Sequence, residues 1–333
     1  QTIGVFLNTP ESIDGYTLFA PSSTSETFLI DNCGHLINQW ESNYWPGQSA
    51  YLLPGGDLLR TGRINSVFNS GGTGGRIERF SWEGELEWAY EYSSAQFHQH
   101  HDIEPMPNGN VLILAWELIS REEAIAMGRN PMDVGANGLW PEHIVEVQPS
   151  GTSGATIVWE WHLKDHLIQD FDSTRANFGV IADDPGRIDI NYISQSPGAD
   201  WIHANAIDYN PVRDQIVISS RTFSEIWVID HSTTTAESAA DAGGNAGNGG
   251  RILYRWGNPQ TYRRGDPADQ KFFGQHDARW VDNGSIMVFN NGFGRPGPDY
   301  SQVDVIVPPW DDTSWTYSLE GPEPYGPDSL AWS

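Results

Sequence analysis

Lysine is almost missing from this chain: of 333 residues, only Lys164 and Lys271 carry an ammonium side chain. With 18 Lys+Arg against 44 Asp+Glu, the formal net charge is −26. Such a field repels phosphate, so nucleic acid and anionic membrane surfaces are excluded as partners. Cysteine is scarcer still. Cys33 stands alone, which excludes an intramolecular disulfide and leaves the redox compartment open. Between Asn32 and Gly34 it reads as a passive turn thiol. Long hydrophobic runs are also lacking. The longest, Val111 to Trp116, has the length of a strand, so no membrane span is expected. Helical periodicity is confined to Ser120–Met127, inside a loop. Gln1 is followed by no basic or apolar leader, which fits a mature exported chain or a cytosolic one.

What the chain does have is aromatic mass and strand signals. A hydrophobic share of 38%, with 15 Trp and 12 Tyr, is enough for a core. Short strands alternate with Gly, Pro, Asn and Asp clusters. They group into units near residues 16–40, 50–92, 102–161, 205–256 and 277–319, most with four antiparallel strands. That is the pattern of propeller blades, and a β-sandwich built of the same hairpins is the competing architecture. The expected fold is an all-β propeller forming a single domain over residues 1–333. The first unit shows three clear strands, and the fifth is read as ending with WTYSL. Residues 117–142 and 162–202 are long connections expected to cover one face. The low-complexity run 236–250 is expected to be a mobile insertion.

Three histidines open comparable strands: His101, His203 and His276. His101 and His276 each lie eight residues before a turn glycine, Gly109 and Gly284. Innermost strands of a propeller line one channel, so these imidazoles are expected at one mouth. Second strands return to that mouth, bringing Arg221, eighteen residues after His203, together with Trp116, Glu117, Asn290 and Asn291. Asn205 should face the same way as His203 by strand alternation, and Gln48 opens the second unit. His98 and His100 are read as loop or supporting residues. Imidazoles, a guanidinium and amides together suit a small oxyanion such as sulfate, phosphate or carboxylate. Trp45, Trp140 and Trp201 are candidates for stacking on a ring or for packing.

At these residues the chain resembles the bacterial arylsulfate sulfotransferases. The resemblance runs from DGYTLFAPSS and TFLIDNCGHLINQW through HHDIEPMPNGNVLIL to GQHDARWVDNGSIMVFNNG, and is most specific in DWIHANAIDYNPVRDQIVISSR. It implies a six-bladed propeller, with the last blade missing or incomplete here, in an exported protein that is secreted or periplasmic. It implies transfer of a sulfuryl group from an aryl sulfate to a phenol, with no cofactor and no metal. His276 would be the nucleophile that becomes sulfated. His101, His203, Asn205 and Arg221 would hold the sulfuryl oxygens and assist proton transfer. Two other readings compete: a metal-dependent propeller lyase or hydrolase acting on an anionic sugar, and a non-catalytic ligand-binding propeller. Nothing in the residues sets an oligomeric state.

Overall fold

The computed structural model describes residues 7–192, 198–281 and 284–333. Residues 193–197 of the second long connection, and Asp282 and Asn283 of the last blade's first turn, lie outside them. The fold is all-β, with five sheets of the propeller-blade type. The first holds β1 (Tyr16–Phe19), β2 (Glu26–Asp31) and β3 (Leu36–Glu41). The second holds β4 (Pro46–Leu52), β5 (Leu58–Arg63), β6 (Gly75–Phe80) and β7 (Leu86–Glu91). The third holds β8 (Phe97–Pro105), β9 (Val111–Glu117), β10 (Glu142–Ser150) and β11 (Gly154–His162). A short parallel pair follows, β12 (Leu167–Ile168) with β13 (Ile188–Asp189). The fourth blade holds β14 (Ala204–Asn210), β15 (Gln215–Ser220), β16 (Glu225–Asp230) and β17 (Tyr254–Trp256). The fifth holds β18 (His276–Trp280), β19 (Ile286–Asn290) and β20 (Gln302–Ile306).

The strand patterns explain themselves physically. Every residue of β9, β15 and β16 is buried, as expected for strands covered on both faces. Turns close where glycine permits positive φ: Gly109 at 85° donates its N–H to the Met106 carbonyl. The expected helix forms as α1 (Arg121–Ala126), started by a reciprocal capping box between Ser120 and Glu123.

The chain divides into two compact units, Gln1–Val111 with Gln148–Thr156, and Leu112–Val147 with Ile157–Ser333. In the first, Leu29, Trp40, Leu58 and Phe80 form a core shared by blades one and two. In the second, Val217, Ile226, Val228, Trp256 and Phe272 pack with Ala278, Ile286, Val288 and Ile306, joining blades four and five. A fully buried ion pair also sits there: Arg255 Nη2 lies 2.5 Å from Glu225 Oε2. Trp227 Nε1 donates to the same carboxylate, and Arg255 also donates to the Arg187 carbonyl and Thr261 Oγ1.

Two expectations about organisation meet a different local structure. WTYSL does not extend the fifth blade. Pro308 and Pro309 follow one residue after β20 and lack the N–H groups a returning strand needs. The chain instead makes a separate hairpin, β21 (Trp310–Asp311) with β22 (Thr316–Tyr317). The edge of β20 is met by Ala331 and Trp332, which exchange backbone hydrogen bonds with Val305. Segment 236–250 carries most of α2 (Thr235–Ser238) and is tied down by hydrogen bonds. Ala246 N donates to Asp230 Oδ2, and the Gly250 carbonyl accepts from Trp161 Nε1.

Candidate active site

His276 begins β18 two residues after Gly274, and its ring is partly buried. Its Nδ1 lies 3.1 Å from the Gly274 carbonyl and 3.2 Å from Asn291 Oδ1. A carbonyl only accepts, so Nδ1 carries the hydrogen and Nε2 keeps the lone pair. Burial lowers the pKa of His276, and the positive charge of Arg221 and the nearby His203 press in the same direction. The ring is therefore neutral at pH 7, with Nε2 available.

Arg221 and His203 are placed by paired backbone segments. Arg221 follows β15 and donates its N–H to the His203 carbonyl at 3.2 Å. Ser220 Oγ and Thr222 Oγ1 both donate to the Ile202 carbonyl, pinning the residue before His203. Arg221 lies 5.9 Å from the Phe293 ring centroid, and a cleft of about 350 Å³ opens beside it. Tyr192, Asn258, Phe273 and Phe293 help line this cleft. Asn205 Nδ2 donates to the Gln275 carbonyl at 2.8 Å, tying β14 to the residue before His276. Its Oδ1 is buried with no hydrogen-bond partner among the described residues. Simple alternation does not set its direction, because a bulge interrupts β14 between Ala204 and Ala206.

Two carboxylates that sequence reasoning missed stand behind His203. Asp200 Oδ2 is 2.5 Å from His203 Nδ1, and Asp200 Oδ1 accepts from Trp116 Nε1 at 3.0 Å. Glu142 is completely buried and accepts the Ala204 N–H at 2.8 Å. Its burial, reinforced by the charge of Asp200, pushes its pKa well above the carboxylate range. Asp200 gave no periodic signal because it lies in a long connection. Its place three residues before His203 was the only available clue.

The remaining expected residues divide sharply. Trp116 is fully buried and serves Asp200. Glu117 binds His162 Nδ1 at 2.9 Å and Lys164, within a group that includes His143. Asn290 is buried, and both ends of its amide are engaged. Its Oδ1 accepts from Phe273 N and Gly292 N, while Nδ2 donates to the Lys271 carbonyl and Asp304. It holds the Gly274 loop, whereas its neighbour Asn291 reaches His276. Trp140 and Trp201 are buried, and Trp45 is half exposed.

In the first compact unit, His101 takes φ 48°, its N–H donates to the Gly72 carbonyl, and its Nδ1 lies 2.9 Å from His100 Nδ1. Gln48 is exposed with φ 96°. The same count to the turn does not mean the same backbone position. His101 and His203 are left-handed at 48° and 51°, but in β18 that conformation belongs to Asp277 at 53°. His276 instead matches His100, each preceded by a fully buried glutamine, Gln275 and Gln99. β18 also carries a bulge between His276 and Arg279.

The arylsulfotransferase (ASST) family model matches residues 9–304. The chain belongs to this family. No curated protein matches the chain. Among solved structures, it is similar to a Bacteroides caccae protein of unknown function, with 10% identity over 92% of this chain and 72% of that one, at a TM-score of 0.45. It is also similar to hydrazine synthase of Kuenenia stuttgartiensis, with 10% identity over 87% and 67% of the two chains and a TM-score of 0.49. A hypothetical selenium-binding protein from Sulfolobus tokodaii matches at 12% identity over 92% and 62%, with a TM-score of 0.47. No helix among the described residues is long and apolar enough to cross a membrane.

Proposed function

We propose that this arylsulfotransferase-family chain moves a sulfuryl group from an aryl sulfate to a phenol through a sulfohistidine at His276 Nε2. One observation carries the proposal: the Gly274 carbonyl and Asn291 claim Nδ1, leaving the Nε2 lone pair free on a ring held neutral by burial and by Arg221. Nε2 attacks sulfur as the bond between sulfur and the donor's aryl oxygen breaks. The departing phenolate takes a proton from His203. The acceptor phenol then returns a proton to His203 as its oxygen attacks sulfur, and the S–N bond breaks to restore His276. Arg221 neutralises charge on the sulfuryl oxygens, and the aromatic cleft beside it suits the ring. His101, and Gln48 and Asn205 as ligand-binding amides, enter from the sequence reading. Location in the periplasm or outside the cell, a single propeller domain over residues 1–333, and a six-bladed family plan with a missing or incomplete last blade belong to the same proposal.

The test is incubation with an aryl sulfate, with and without a phenol acceptor. Donor alone should leave one labelled sulfohistidine, lost in His276→Ala together with transfer. Transfer that survives the substitution would refute the assignment. Among the described residues, two groups bring ligand atoms within 4.8 Å of one another, Asp31/Cys33/His35 and Glu117/His143/His162. Neither includes His101, His203 or His276, and transfer should persist after chelation.

A further inference from the structure

We propose that Asp200 is a positioning residue that fixes the tautomer of His203, so that His203 Nε2 exchanges protons with the phenolic oxygens. The proposal rests on the sulfuryl-transfer reading above and adds the group that makes His203 fit for it. A carboxylate oxygen 2.5 Å from Nδ1 requires the hydrogen on Nδ1. The second oxygen is fixed by the indole N–H of Trp116, a residue with no exposed surface. The carboxylate therefore cannot swing away without giving up the hydrogen bond from that buried indole.

The backbone is equally constrained. His203 adopts φ 51°, a left-handed conformation that is disfavoured for a residue with a Cβ. It is held there by the Arg221 N–H on its carbonyl and by Glu142 on the next N–H. Strain retained by several independent bonds marks a position whose geometry matters. The two neighbouring carboxyls also have separate tasks. Glu142, fully buried and with its pKa raised by burial and by the charge of Asp200, accepts a backbone hydrogen bond, while Asp200 faces the imidazole. Asp200 accepts the Nδ1 hydrogen bond and stabilises the imidazolium formed when Nε2 takes the acceptor's proton. That same proton later goes to the next departing phenolate.

Two measurements separate this inference from the reaction it serves. Ring-nitrogen NMR of wild-type protein without substrate, recorded alkaline enough for the His203 ring to be neutral, should show its hydrogen on Nδ1 and the lone pair on Nε2. In Asp200→Asn that preference should be lost. In transfer assays, Asp200→Asn should lower kcat on the order of a hundredfold or more, with KM within about twofold. Asp200→Glu should recover part of the loss, and Trp116→Phe should lower kcat about tenfold through the loosened carboxylate. Trp116→Phe also tests the idea if Asp200→Asn fails to fold. A neutral His203 ring in the wild type with its hydrogen on Nε2 and none on Nδ1, or kcat within threefold of wild type in Asp200→Asn, would overturn the positioning role. A wild type with the expected tautomer but no sulfuryl transfer would instead overturn the proposed reaction.

Discussion

His231 offers the sharpest stability test. It sits between Asp214 Oδ1 at 2.7 Å and Glu146 Oε2 at 3.1 Å, with its ring centroid 4.7 Å from that of Trp159. Burial pulls its pKa down, but the hydrogen bonds to Asp214 and Glu146 and their charges outweigh it, raising it to about 9 from 6.5. For a group raised on folding, the stabilisation is complete below the unfolded pKa and disappears as pH climbs through the folded one. A shift of about 2.5 units at 1.36 kcal/mol each corresponds to about 3 kcal/mol. The side chain is only 11% exposed, so solvent screening takes little from that figure. His231→Gln keeps a hydrogen-bonding side chain but removes the charge. At pH 6 it should lose about 3 kcal/mol, and at pH 10 the two proteins should nearly coincide. Urea unfolding followed by tryptophan fluorescence at both pH values reads this directly. A wild-type advantage of equal size at pH 6 and pH 10 would show that packing, and not charge, holds this contact.

Glu225→Gln should destabilise by about 3–5 kcal/mol, because Arg255 would be left charged and buried without its anion, and thermal unfolding measures the loss. At Gly72, with φ 78°, an added Cβ would fall 2.1 Å from the His101 ring. Gly72→Ala should therefore cost about 1–3 kcal/mol in the same assay. Arg221→Gln should lower kcat about 10²–10³-fold, and its removal should move the pKa of His276 back toward 6.5. In the wild type the rate should rise with pH as His276 loses its proton, with that inflection below 6.5. An inflection that stays put in Arg221→Gln would dissociate the guanidinium from the nucleophile.

Much of this was legible along the chain. Blades two to four follow the strand-and-turn rhythm closely, since continuous apolar runs such as Val111–Trp116 need cover on both faces and Asn-Gly turns need positive φ. His203, Arg221 and His276 were recoverable because propeller repetition returns strand ends to a common edge. Trp116, Glu117 and Asn290 also end their strands, but end position does not say which way a side chain turns. Trp116 supports Asp200, Glu117 is taken by Lys164 and His162, and Asn290 spends its amide on the Gly274 loop. Bulges in β14 and β18 defeat the period-two count, and in backbone terms His276 aligns with His100.

Residue order by itself determined the strands, their grouping into blades, the repulsion of polyanions and the family, because these follow from local pattern and composition. Tertiary structure alone decided which nitrogen of His276 keeps its lone pair, that Asp200 faces His203, and that burial raises the pKa of Glu142. Those properties depend on burial and on how the loop acceptors Gly274, Asn291 and Asp200 are turned toward the rings, and neither has a periodic trace in sequence.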